Sequence, residues 1–108
     1  MEKFALDQMM EFGEQFTLKR LADIPDAQLN LVCLSPHQAL PAHNTNSNVR
    51  LLVLLGELTL TVSDETDNLA IHEMTAIPFD MPMQIRNDSD SNAAFLVIKT
   101  PNPSQFEG

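Results

Sequence analysis

From residue 15 onward the chain is broken about every ten residues by Pro, Asn, Asp or Ser, and the pieces between the breaks are short and rich in apolar and β-branched residues. Such a chain has no room for long helices and must build its core from short strands packed face to face. The fold class is therefore all-β, a sandwich or barrel. The expected strands are 15–21, 28–34, 49–55, 57–63, 69–71, 74–77, 83–87 and 93–99. Ahead of them, "LDQMMEF" at 6–12 places Leu6, Met9 and Met10 on one face at helical spacing and Gly13 follows as a stop, which predicts one short helix. A chain of 108 residues suffices for one core. We read 1–108 as a single domain, its core at about 30–100 and an N-terminal extension over 1–29.

Two strands carry more than their existence. "ELTLTV" alternates Leu58, Leu60 and Val62 with Glu57, Thr59 and Thr61, so one face is buried and the other wet. "RLLVLLG" and "AAFLVIK" do not alternate, and a strand apolar on both faces must have both covered. The outer faces of 51–55 and 93–98 are expected to pack under the N-terminal segment or against a second copy of the chain. A homodimer is the preferred of the two, since closed two-fold dimers are the commonest oligomers.

The stretch "IPFDMPMQIRN" at 77–87 sets two prolines four apart before a strand. Proline fixes its own φ and pushes the preceding residue toward extended geometry, so the segment delivers Met83 at a defined place. Period two then puts Met83, Ile85 and Asn87 on one face, with Met83 and Ile85 inward. Pro41 acts likewise on His43 and Thr45.

These residues carry a resemblance. The chain is similar to small single-domain cupins, whose first motif is Gly, five residues, His-x-His, three or four residues, Glu, six residues, Gly. "HQALPAHNTNSNVRLLVLLG" keeps that spacing with His37 at the first glycine, His43 at the first histidine, Thr45 at the second, Val49 at the glutamate and Gly56 at the last glycine. The second motif is Gly, five residues, Pro-x-Gly, two residues, His, three residues, Asn. "HEMTAIPFDMPMQIRN" gives His72, Pro78, Asp80, Met83 and Asn87 at those positions. The resemblance implies a double-stranded β-helix, a jelly-roll barrel, with a short N-terminal helix added. It implies a pocket lined by His43, Thr45, Val49, Leu51, Met83, Ile85 and Asn87.

The resemblance also implies a divalent metal, but three of its four ligand positions hold other residues. Only His43 offers a nitrogen donor, Thr45 and Val49 offer nothing useful, and Met83 supplies a thioether suited to copper(I). We therefore expect no resident metal or other cofactor. A soft site of His43, Met83 and Cys33 is the exception considered, against methionine's usual use as a core filler.

The remaining polar residues have structural explanations. His37 and His72 stand at turn glycines and are expected at positive φ, which histidine tolerates better than most residues. Asp64, Glu65 and Asp67 in "SDETDN", and Asp88 and Asp90 in "NDSDSN", lack the glycine and spaced ligands of a calcium loop and read as solvated turns. Ser35, Ser47 and Ser63 sit in no nucleophile elbow, and three glycines make no phosphate loop.

Fifteen Asp and Glu against six Lys and Arg repel phosphate backbones and anionic lipid surfaces, which argues against nucleic acid and membrane partners. The lone Cys33, the absence of a signal-like start and an apolar run no longer than "LLVLL" lead us to expect a cytoplasmic protein. Three functions follow. A metal-free homodimer holding a small apolar molecule stands first, and a purely structural or regulatory dimer with a filled barrel second. Third is a cupin-type enzyme: a dioxygenase or isomerase with an unusual metal set, or an epimerase using His43, the only catalytic candidate, as general base.

Overall fold

The computed structural model describes residues 1–106. After one helical turn, α1 (Leu6–Met9), come β1 (Thr17–Ile24), β2 (Ala27–Leu34), β3 (His43–Asn44), β4 (Asn48–Leu55) and β5 (Leu58–Val62). They are followed by β6 (Glu65–Leu69), β7 (Met74–Ile77), β8 (Pro82–Arg86) and β9 (Ala93–Thr100), and a 3-10 turn over Pro103–Phe106. The strands form two antiparallel sheets, a five-stranded one in the order β1-β2-β9-β4-β7 and a four-stranded one in the order β3-β8-β5-β6. This is the jelly-roll barrel, the double-stranded β-helix expected from the sequence.

The core forms where the inner faces meet. Val32, Leu34, Leu51, Val53 and Phe95 of the larger sheet pack against Leu58, Leu60, Met83 and Ile85 of the smaller one. Each such side chain contributes roughly 1.5–3 kcal/mol by leaving water. The second faces of β2, β9 and β4 carry a separate cluster of Leu31, Cys33, Ala94, Leu54 and Leu96, over which Met9, Met10 and Phe12 lie. The strap holding those three is tied down where the Gly13 carbonyl accepts from Ser35 Oγ and Gln38 Nε2, both at 2.9 Å. The apolar second face of 93–98 is thus covered in part by the chain's own N-terminus.

Three local expectations are corrected. The helix read over 6–12 stops at Met9, and Met10 is extended. Its N-cap, Ala5, offers no side-chain acceptor, and so short a helix does not offset its nucleation cost, so packing on the sheet decides the conformation. The strand read at 69–71 is β6 at 65–69, and the hairpin turn is the Ser63–Asp64 pair alone. Ladder bonds to β5 extend the acidic run, whose side chains all face water up to the buried Leu69. Finally, His43 and Asn44 form a short strand against β8 inside a segment read chiefly as a loop.

Left-handed backbone falls where the motif spacing called for glycine: His37 has φ 66°, His72 φ 70°, Asp80 φ 62° and Gly56 φ 71°. At Gly56 the demand is doubled, because a Cβ there would run into the carbonyl oxygen of Asn92. Gly56→Ala is expected to cost about 2 kcal/mol or more in urea unfolding. His72→Gly should stay within about 0.5 kcal/mol of the parent, while His72→Val costs about 1–2 kcal/mol.

Candidate functional site

Thr45 is the main tether of the segment between the two prolines, which Asn44 and Asn48 also hold. Thr45 Oγ1 donates to the Pro78 carbonyl at 2.6 Å and accepts from the Met81 N–H at 2.9 Å. The Thr45 N–H donates to the Met81 carbonyl and its carbonyl accepts from the Asp80 N–H, both at 2.9 Å. With Asp80 in left-handed geometry, the 78–81 loop closes onto Thr45, and β8 starts at Pro82 in a fixed position. His43 then pairs directly with Met83. From the far side the ring of Phe106 stacks on Phe79, centroids 4.3 Å apart.

Behind this corner lies a partly enclosed cavity of about 190 Å³. Met83 and Ile85 of β8 and Val49 of β4 form its floor, with Val32 of β2 and Val97 of β9 beside them. Leu40, Pro41, His43, Thr45 and Asn46 form one rim, and Phe16, just before β1, and Leu18 of β1 the other. Asn30 and Lys99 bring the remaining polarity. A more open groove outside β3 and β8, lined by Thr61, Ser63 and Gln84, also meets His43 and Met83 but encloses little.

Of the seven residues expected to line a pocket, His43, Thr45, Val49, Met83 and Ile85 meet in this cavity, and Leu51 and Asn87 do not. Leu51 is the next inward position on β4, opposite Val97 and Thr75, and is wholly buried in the core. Asn87, also wholly buried, is a loop staple. Its Nδ2 donates to the carbonyls of Leu34 and Ser35 at 3.2 Å and of Ser91 at 2.7 Å, while its Oδ1 accepts from the N–H and Oγ of Ser89. That amide organises the "NDSDSN" loop.

The sequence reading missed Phe16, Leu18, Asn30, Val32, Leu40, Pro41, Asn46, Val97 and Lys99. Counting in steps of two from Phe95 puts Val97 and Lys99 on the inner face, a signal hidden by the apolar residues between them. Burial, and secondarily the charge of Arg20, pushes the Lys99 ammonium below the ordinary lysine range. Asp23 is held below the ordinary carboxylate range, first by the Asn102 amide, which donates to its Oδ1 at 2.6 Å, then by Gln28 and Arg20.

The residues do not fit a transition metal of the kind the motif spacing implies. His43 Nδ1 donates to the Pro41 carbonyl at 2.9 Å, leaving Nε2 as the one imidazole donor at the cavity. The Thr45 hydroxyl is spent on the loop, Val49 has no donor, and Met83 gives only a thioether. Cys33 cannot complete a soft site, because it lies on the opposite face of β2 from Val32, under the N-terminal strap. Among the described residues no three His, Cys, Asp or Glu side chains gather.

The chain is 32% identical over 90 residues to an uncharacterized protein of Methanocaldococcus jannaschii, covering 82% of this chain and 78% of that one. The crystal structure of that protein, described as an RmlC-like cupin family protein with a double-stranded β-helix fold, superposes with a TM-score of 0.82 and 28% identity over 89% of each chain. A protein of Thermus thermophilus superposes with a TM-score of 0.87 at 27% identity, covering 95% of this chain and 100% of the other. A cupin superfamily protein of Desulfitobacterium hafniense matches in fold, with a TM-score of 0.81 and 16% identity over 91% of this chain and 88% of that one. No family model matches the chain.

The convergence of these positions can be tested by restoring the donors. The triple variant Thr45→His, Val49→Glu, Met83→His is expected to bind Ni²⁺ or Co²⁺ stoichiometrically by calorimetry where the parent shows no binding. Failure of a folded triple variant to gain metal would mean that the four side chains do not face a common point.

Proposed function

The chain belongs to the RmlC-like cupin family, and from that premise we propose that it binds a small, mainly apolar molecule at the barrel mouth without a metal. One observation carries the reading: the metal position of the motif is occupied by apolar or engaged side chains, yet the space beside it is open. A barrel serving only as a scaffold would close that space with side chains. Pockets for small molecules are mostly apolar with a few placed polar groups, and this lining has that composition. Its volume exceeds the roughly 150 Å³ that suffices for benzene in an apolar protein cavity. His43 stands at the rim with Nε2 open, and we assign it to ligand contact.

Indole, a neutral probe of suitable size, is expected to raise the midpoint of thermal unfolding in a concentration-dependent way and to shift the methyl resonances of Val32, Val49, Met83, Ile85 and Val97. Val97→Phe, which fills the cavity, should abolish both effects while remaining folded. No shift at millimolar indole, or shifts unchanged in Val97→Phe, would count against the cavity.

We further propose that the protein is a homodimer joined through the outer face of the larger sheet. Leu29, Leu52 and Ile98 there are half-buried and Met74 is 55% exposed, a row outside the strap-covered cluster. Sedimentation should give twice the 12.0 kDa chain mass, and Met74→Asp should shift the distribution toward monomer. A parent that sediments as a monomer at micromolar concentration overturns this arrangement.

A further inference from the structure

Two of the chain's six basic residues are brought together at one end of the cavity. Arg20 pairs across β1 and β2 with Asn30, and Lys99 across β9 and β2 with Gln28, so all four lie on the barrel-facing side of the larger sheet in adjacent rows. Lys99 lines both the apolar cavity and a neighbouring polar groove of about 440 Å³. Arg20, Asp23, Gln28, Asn46 and the Asn102–Ser104 turn complete that groove. The cavity therefore meets an open polar groove, with Lys99 and Asn46 at the junction.

Among the described residues, no salt bridge closes between the charges of that groove. Arg20 Nε donates to Asn30 Oδ1 at 3.0 Å, and among the described residues neither Arg20 nor Lys99 forms an ion pair. The nearby carboxylate is committed elsewhere: Asp23 takes the Asn102 amide, whose Nδ2 also donates to the Ile24 carbonyl and whose N–H donates to that of Pro25. Asn102 thereby fixes the β1–β2 turn and engages the Asp23 carboxylate. Among the described residues the groove holds two cations against one carboxylate, in a chain whose net charge is −9. Like charges held together, one of them half-buried, are destabilising unless a counter-ion joins them.

We propose that this junction binds the carboxylate of a small organic acid, with Lys99 and Arg20 as its counter-charges and the cavity taking its apolar body. The inference rests on the cavity reading above and adds the class of ligand. A net charge of +1 in the groove matches a monoanion, and the cavity suits an aryl or short alkyl group in a molecule of roughly ten heavy atoms. Charge-assisted hydrogen bonds to carboxylates are among the stronger polar contacts, and here they would form beside an apolar wall that limits screening.

The test compares phenylacetate with phenylacetamide, isosteric probes that differ in charge, by calorimetry at low salt, with indole as the control for the cavity itself. The parent should bind phenylacetate about tenfold tighter than phenylacetamide. Lys99→Met should cut the preference for the acid over the amide from about tenfold to none. Because Lys99→Met also removes a desolvated charge, its thermal midpoint should rise, which separates loss of binding from loss of fold. If indole binds but acid and amide are equal, the anion assignment falls while the cavity reading stands. The assignment also falls if acid preference survives in both Lys99→Met and Arg20→Gln, or if inorganic phosphate displaces phenylacetate at equal concentration. If none of the three probes binds, the cavity reading falls and this inference falls with it.

Discussion

The register between β4 and β9 is the constraint on which the rest of the molecule depends. Both strands are apolar on two faces, so hydrophobicity alone penalises a one-residue slip less than it would in an alternating strand. The ends of the pair supply the missing specificity. At one end Gly56 takes positive φ where the Asn92 carbonyl leaves no space for a Cβ, next to the irregularity between Val53 and Leu55. At the other, the wholly buried Ser47 donates its hydroxyl to the Pro101 carbonyl and Asn48 Nδ2 donates to the Thr100 carbonyl. Pinned there, Val49, Leu51 and Val53 face the barrel, and Val97 and Lys99 follow on the neighbouring strand. A slip by one residue would send Lys99 to the outer face and Ile98 into the cavity.

The same economy appears at the barrel mouth. At the spacing where the family places a histidine, Thr45 spends its hydroxyl on closing the 78–81 loop. Asp80 occupies a glycine position and accepts the associated strain, and Asn44 Nδ2 donates to its carboxylate at 3.0 Å. The scaffold geometry of the motif is thus kept by residues that cannot ligate, and Met83 occupies a ligand position as an adaptable apolar surface. Scaffold and metal are separable requirements, because strand pairing fixes where the side chains point and donor chemistry fixes only what they can hold.

How far the sequence disclosed this can be argued from individual residues. His37 and His72 were legible as left-handed positions because the motif spacing marks the turns that need them, and histidine is among the side chains that tolerate them. His43, Thr45, Val49 and Met83 were placed near one another by the same spacing. Asn87 deceived, since period two puts it in line with Ile85, but β8 ends at Arg86 and the side chain beyond turns to the backbone of the following loop. Arg20, Asn30 and Lys99 escaped because their meeting depends on β1, β2 and β9 being neighbours, a topological fact that no local window contains. The strap over Cys33 lay between: the need for cover was readable, but whether the chain or a second copy supplied it was not.

Lys99 and Asp23 couple the fold to proton concentration with the same sign, in different pH windows. The folded-state pKa of Lys99 lies below its unfolded value. Between the two, the unfolded chain holds more protons at this site, so folding gains stability as pH rises through that window. Asp23 is depressed too, but as an acid its contribution is present above the unfolded carboxylate pKa and is lost as pH falls through the folded one. The Asn102 and Gln28 amides favour the charged form of Asp23, whereas burial disfavours that of Lys99. A bound carboxylate would reverse only the lysine term, raising its pKa and turning a local source of instability into a counter-charge. The barrel mouth is therefore poised so that occupancy by an anion and stability of the fold rise together.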